Sequence, residues 1–151
     1  MGVVRTPNSL ALSYSLAALA AFFAALMPWG EVPAGPFLGN PVLDGVISEV
    51  NVSVDAWHSS VTALGVKLPN WTPLLVAAGL AAWAWAGAPR SRWIIPAIVY
   101  GLLHTLGAAV MFQARPGGTI GLGIVVTFIA FVSMLSTTIR YLKEQPAEAA
   151  G

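Results

Sequence analysis

Four long apolar runs constrain the fold of this chain more than any other feature of its sequence. None contains Asp, Glu, Lys or Arg, and each has 18 to 20 residues: Leu10–Trp29, Trp71–Ala88, Trp93–Phe112 and Ile120–Ile139. About 20 helical residues at 1.5 Å rise cross the ~30 Å hydrocarbon layer of a bilayer. The runs therefore predict an all-α membrane protein, a four-helix transmembrane bundle in which residues 1–151 form a single membrane domain.

The composition agrees with a chain that resides in lipid. Of its 151 residues, 57% are hydrophobic and 9% are charged, whereas soluble domains carry about 25% charged residues. The lipid bilayer is therefore the first predicted partner. A net charge of +1 argues against nucleic acid as a partner, because phosphate binding needs a basic patch. The chain has no cysteine, which excludes disulfides and thiolate metal sites.

The first run has an alternative interpretation as a secretory signal peptide, because Arg5 precedes it. The run is long for such a signal, and no small-x-small cleavage site with a polar boundary follows it. We therefore expect a retained first helix.

Basic residues predict the orientation. Five of the seven Lys and Arg residues lie on one side of a four-span arrangement, namely Arg5, Arg90, Arg92, Arg140 and Lys143. Only Lys67 and Arg115 lie on the other side. Cytoplasmic loops carry the excess of Lys and Arg. We therefore predict a multi-pass protein of the plasma (inner) membrane, with both termini cytoplasmic and a cytoplasmic tail at about residues 140–151.

The segment between the first two runs, at about residues 30–70, is too long for a structureless loop in so small a protein. The letters EVNVSVDAW alternate between β-branched and polar residues, which predicts a strand. The letters DAWHSSVTALG follow, with Trp57, Val61 and Leu64 at helical spacing, Asp55 as N-cap and Gly65 as the stop. We predict a small extracytoplasmic cap of mixed strand and short helix between helices 1 and 2.

The cap carries a cluster of ionisable residues around Asp55 and His58, with Glu49 and Asp44 upstream. Oxygen and imidazole ligands suit a metal, but no metal-binding motif is present, so we predict no metal. Ser59 beside His58 lacks the G-x-S-x-G context of a hydrolase, so we predict no catalytic residue and no cofactor. The interpretation we favour is a solvated surface in which Asp55 caps a helix. Its predicted contact residues are Glu49, Asp55, Trp57 and His58.

His104 lies in the middle of a predicted span, where a histidine is costly and often functional. A polar intramembrane site would combine it with the hydroxyls of Ser133, Ser136 and Thr137. The alternative is a packing role, in which neutral histidine bonds Ser133 or Thr127 across the bundle. No acidic residue lies at the same depth, which favours the packing role over an ion path.

Small residues recur at four-residue spacing, which lets helices approach closely in lipid. The predicted packing positions are Ala78, Ala82 and Ala86 on the second helix and Gly117 and Gly121 before the fourth. They serve either packing within the bundle or contact with other subunits.

The letters LMPWGEV, LPNWTPLLVAAGLAA and GGTIGLGIVVTFIAFVSML, together with the β-prone outer segment, resemble the small four-pass (tetraspan) membrane proteins of actinobacteria and their phages. The layout is also distantly similar to that of claudins, although the claudin W…C…C pattern is absent. The resemblance implies an architecture without an assigned activity. Some phage proteins of this layout exclude other phages, in part by depolarising the host.

These patterns predict a non-enzymatic integral membrane protein that acts through protein contacts, as an accessory, structural or regulatory subunit. Its partner would be a second copy or another membrane protein. The alternative is an oligomeric pore or ion leak that depolarises the membrane, such as a phage exclusion or defence protein.

Overall fold

The computed structural model describes residues 7–33, 51–88 and 92–144. They form four α-helices: α1 Pro7–Leu26, α2 Thr72–Trp85, α3 Ile94–Gln113 and α4 Leu122–Glu144. They also form five short strands: β1 Gly30–Pro33, β2 Asn51–Val54, β3 Ser60–Ala63, β4 Val66–Pro69 and β5 Thr119–Ile120. The fold is thus mostly helical with a small β region, as predicted in outline.

Three of the helices are long and apolar enough to cross a membrane, namely α1, α3 and α4. The second predicted span is shorter than expected, because α2 has 14 residues, or about 21 Å of rise. It ends early because Gly87 and Ala88 adopt left-handed backbone angles, with φ of 90° and 49°. The Ala88 N–H then bonds the Trp83 carbonyl at 3.2 Å, as in the Schellman motif that ends many helices.

The helices pack in a closed order, in which α1 contacts α2 and α4, and α3 contacts the same two. Large buried side chains from all four helices meet between them, including Tyr14, Leu80, Ile98, Phe131 and Met134. The ring of Phe131 lies 2.2 Å from where a Cβ at position 101 would be, so only glycine lets α3 and α4 approach this closely.

A three-stranded antiparallel sheet covers one end of the helices, in the order β2-β1-β5. Val32 of β1 pairs with Val52 of β2, and the predicted strand around residues 51–54 is confirmed. The third strand comes from the link between α3 and α4, where Ile120 pairs with Gly30. The cap therefore contains residues from two separate parts of the chain, whereas we predicted it from residues 30–70 alone.

The predicted short helix after Asp55 is wrong, because residues 60–69 form the β3–β4 hairpin. Leu64 and Gly65 make its two-residue turn with φ of 51° and 79°, which is the geometry that suits a tight hairpin. Val61 is buried and pairs with Leu68. Val61 and Leu64 have the apolar spacing that indicated a helix. Val61 is instead a buried strand residue, and Leu64 is an exposed turn residue.

The cap is folded around the C-terminal end of α3. Phe112 packs in a second apolar core with Trp29, Val32, Val61 and Ala108. The Phe112 ring also lies 2.2 Å from where a Cβ at Gly30 would be, so β1 can lie against it only because residue 30 is glycine. The sheet and hairpin are thereby fixed to one helix end, and the space between them forms the site described below.

Candidate binding site in the cap

Asp55 organises the turn that joins the sheet to the hairpin. One carboxylate oxygen, Oδ1, accepts the backbone N–H groups of Trp57 and His58 at 3.0 Å each and the His58 Nδ1 at 2.7 Å. This is the hydrogen bonding expected of an N-cap, but no helix follows it. Burial raises the pKa of Asp55, but the hydrogen bonds and charge of His58 and the Trp57 N–H together outweigh it, and the net pKa is lowered.

The predicted contact surface of the cap is exposed where the structure describes it. Trp57 is 44% exposed, and its ring stacks on Trp71 at 6.3 Å with 18° between the planes. The side chain of His58 is 80% exposed, and that of Asp55 is 31% exposed. Glu49, the fourth predicted member, lies outside the described residues.

A chain of hydrogen bonds runs from the cap into the helices. The Ser59 hydroxyl donates to the Asp55 carbonyl at 2.5 Å and accepts the Asn70 Nδ2 at 2.8 Å. The Asn70 Oδ1 lies 3.0 Å from the Nε2 of His104, and the Nδ1 of His104 lies 3.2 Å from the Tyr100 hydroxyl. Asn70 is 1% exposed and His104 5% exposed, so the polar atoms at the centre of this chain satisfy one another away from solvent.

The network fixes the tautomer of His104. A side-chain amide oxygen accepts but cannot donate, so Nε2 carries the proton that faces Asn70. In a neutral ring Nδ1 then accepts from the Tyr100 hydroxyl. The Thr72 hydroxyl lies 2.7 Å from that of Tyr100 and 2.8 Å from the Pro69 carbonyl, and these two oxygens share its single proton. This network holds the start of α2 against the middle of α3.

The hydrogen bonds of His104 link α3 to Asn70, just before α2, but the partners that we predicted for it are wrong. The Thr127 hydroxyl donates to the Gly123 carbonyl within α4 at 2.8 Å, and both ring nitrogens of His104 face Asn70 and Tyr100 instead. Tyr100 was detectable from sequence, because residues four apart share a helix face. Asn70 was not, because it lies 34 residues away along the chain.

The hydroxyl residues of α4 do not join His104 in the described structure. Ser133 and Ser136 are exposed on the outside of the helices, and Thr137 is buried. The hydroxyl that does pair across the helices at this end is that of Thr138, with Tyr14. The predicted polar site of one histidine and three hydroxyls is therefore not assembled within one chain.

The small residues of α2 face outward. Ala78, Ala82 and Ala86 are exposed, so they do not pack within the bundle, and contact with other subunits, the alternative for them, stays a prediction. Leu80 and Ala84 pack inside instead. Gly117 and Gly121 do not share a helix either. Gly117 lies in a turn at φ 71°, and a Cβ at Gly121 would lie 2.1 Å from the Pro28 carbonyl oxygen.

A cavity of about 650 Å³ lies between the sheet, the hairpin and the end of α3. Ser59 and Asn70 from the hydrogen-bond network line it, together with apolar side chains that include Val52 and Met111. Lys67 and Arg115 also line it; these are the two basic residues predicted on the outer side. Sequence analysis used these two only for orientation and did not predict that they share a cavity.

Within residues 7–33, 51–88 and 92–144, no group of three His, Cys, Asp or Glu side chains could hold a metal ion. The cap has two features that could bind a ligand or a partner. They are the cavity, with polar, basic and apolar walls, and the exposed aromatic surface. No family model, curated protein or solved structure matches this chain.

Proposed function

We propose that the chain is a four-helix transmembrane bundle of a bacterial plasma membrane, in which α2 is the second and shortest span and the cap lies outside. The closed packing order of the helices supports this arrangement, and so does the excess of Lys and Arg in the sequence before the first predicted span, between the second and third, and after the fourth. With a rise of only about 21 Å, α2 is too short to reach the outer surface. The polar residues that precede it therefore lie beside the outer half of α3, and Asn70 is one of them.

Single cysteines test this topology. Thr62→Cys in the hairpin and Lys143→Cys near the end of α4 replace exposed residues at opposite ends of the molecule. We expect a membrane-impermeant maleimide to label the first in intact cells and the second only after permeabilisation. Labelling of both from outside would show that the topology is wrong.

We further propose that the protein is not an enzyme and acts by binding a partner protein through its cap. The observation that carries this proposal is the exposed Trp57, stacked on Trp71 and beside the charged pair of Asp55 and His58. Tryptophan is enriched among the residues that dominate binding energy at protein interfaces. Val66 and Leu64 of the hairpin are also exposed, at 57% and 104%, which extends the apolar surface of the cap.

The bonding of Ser59 argues against a hydrolase. A nucleophilic serine donates its proton to a base such as histidine. The Asp55 carboxylate does hold the Nδ1 of His58, as the acid of a triad would. The Ser59 hydroxyl, however, donates to the Asp55 carbonyl and not to His58. Adjacency of Ser59 and His58 in sequence therefore does not produce a nucleophile and base.

Site-specific crosslinking tests the contact proposal. A photoreactive amino acid at Trp57 should give one defined adduct in native membranes, either a dimer or a complex with a single partner. The matched control is Trp85, which is 59% exposed at the other end of α2 and should not give that adduct. Trp57→Ala should weaken the complex at least about tenfold, as expected of a dominant interface residue. Equal adducts at both positions, or turnover by a monomer, would contradict the proposal.

An oligomeric ion leak is the second candidate. Ser133 and Ser136 are exposed one turn apart on α4, so their hydroxyls would face lipid or a second copy. Within one chain the core beyond His104 is filled by Phe131, Ile98 and Met134, so conduction would need several copies. A potential-sensitive dye distinguishes the two functions, because only a leak predicts depolarisation that Ser136→Leu abolishes at unchanged protein abundance.

A further inference from the structure

We infer that the cap cavity binds an anionic amphiphile, a molecule with a carboxylate or phosphate head and an apolar body. This site adjoins the proposed contact surface, because Asp55 and His58 line the cavity, whereas Trp57 does not. At about 650 Å³ the cavity has the size of sites that hold small organic ligands, about 300–1,000 Å³.

The charges on its wall select an anion. Among the residues that the structure describes, those that line the cavity and are ionisable are Lys67, Arg115, Asp55 and His58. Among the described residues the one ion pair joins Asp55 to His58, and two backbone N–H groups also occupy the same oxygen of Asp55. The Oδ1 of Asp55 thus already accepts three hydrogen bonds, while Lys67 and Arg115 have no carboxylate partner in the described part of the chain. Two cations facing one cavity favour a negatively charged head.

The remaining wall selects an apolar body. Val32, Val52 and Val54 contribute from the sheet, and Met111 and Phe112 contribute from α3. The Arg115 guanidinium lies 5.9 Å from the Phe112 ring centroid, so the basic and apolar parts of the wall adjoin. Methionine adapts to ligands of different shape. The charged head of the ligand would contact Lys67 and Arg115, and its apolar body would contact these apolar side chains.

The outer position of the cavity suits such a ligand. The cavity lies at the end of α3 that we place at the outer surface of the bilayer, where amphiphiles concentrate with their charged heads in the interface. Arg115 and Lys67 are exposed, so both side chains can meet a head that enters from this zone. Asn70 lines the same cavity and holds His104 through its amide.

Binding to the intact protein in phosphatidylcholine nanodiscs tests the inference. Decanoate and decyl phosphate should bind saturably, and at least about tenfold more tightly than decan-1-ol or inorganic phosphate. Lys67→Gln and Arg115→Gln should each weaken binding at least about tenfold, the effect of losing one hydrogen bond to a charged group. Arg92→Gln is the matched control, because Arg92 is exposed at the opposite end of α3, and it should leave binding unchanged.

The lipid composition distinguishes the source of the ligand. In nanodiscs that contain phosphatidylglycerol, loss of decanoate binding would identify an anionic membrane lipid as the occupant, and retained binding would identify a free anion. Both results support an anionic amphiphile. The inference is overturned if decanoate does not bind saturably in phosphatidylcholine, if decan-1-ol binds equally well, or if neither charge variant weakens binding. Because Trp57 is not part of the cavity, crosslinking at Trp57 can fail without affecting this result, and the reverse also holds.

Discussion

Gly121→Ala is expected to destabilise the protein by about 2–4 kcal/mol, because the added methyl group meets rigid backbone. A Cβ at this position would lie 2.1 Å from the Pro28 carbonyl oxygen. The segment cannot easily withdraw, since the Gly121 N–H bonds the Trp29 carbonyl and the Gly123 N–H bonds the Pro28 carbonyl, both at 2.9 Å. The measurement is the free energy of unfolding in mixed detergent micelles.

Gly79→Ala is the matched control for this substitution. Gly79 lies within α2, is exposed, and has nothing within 4 Å of where its Cβ would be. Alanine in an unobstructed helix interior gains up to about 1 kcal/mol over glycine, so this variant should be neutral or more stable. An equal loss of stability in the two variants would show that the start of α4 does not lie this close to the link between α1 and β1.

His104→Leu should destabilise the protein by about 1–3 kcal/mol, because it leaves the buried Asn70 Oδ1 without its donor. Asn70→Leu should cost a similar amount by leaving the Nε2 proton of His104 unpaired. In the double variant neither partner is left alone, so its loss should fall short of the sum of the single losses by about 1–2 kcal/mol. Unfolding in mixed micelles measures all three.

Ser136→Leu serves as the control for this cycle, because Ser136 is exposed on α4 and should change stability by no more than about 0.5 kcal/mol. Strictly additive losses at His104 and Asn70 would mean that the two side chains do not interact. A smaller loss at His104 than at Ser136 would contradict the buried network altogether.

The helices were predictable because an uncharged apolar run about 20 residues long has few other outcomes. The strand at residues 51–54 was predictable because its side chains alternate. The hairpin was not, since Val61 and Leu64 fit helical spacing and the turn lacks the Asn-Gly signal of tight hairpins. The two residues of β5 were also undetectable, because Ile120 becomes a strand residue only through pairing with Gly30.

The candidate site was predictable only in part. The position of His104 in the middle of a predicted span marked it as unusual. Asp55 was correctly identified as an acceptor for the N–H groups that follow it. The partner of His104 and the shared cavity of Lys67 and Arg115 depend on contacts between distant segments, which spacing along the chain does not encode. Exposure of Ala78 and Ala82 also depends on which face of α2 the other helices cover.

The pairing of β5 with β1 constrains the order in which the cap can be completed during synthesis. Gly30 and Glu31 are made before the first crossing helix has a neighbour, yet their partners, Ile120 and Thr119, follow α3. Until that late segment has been made, one edge of β1 has no β5 to pair with. The three-stranded sheet therefore reaches its final form only after α3 has been made, and its completion depends on segments from both halves of the chain.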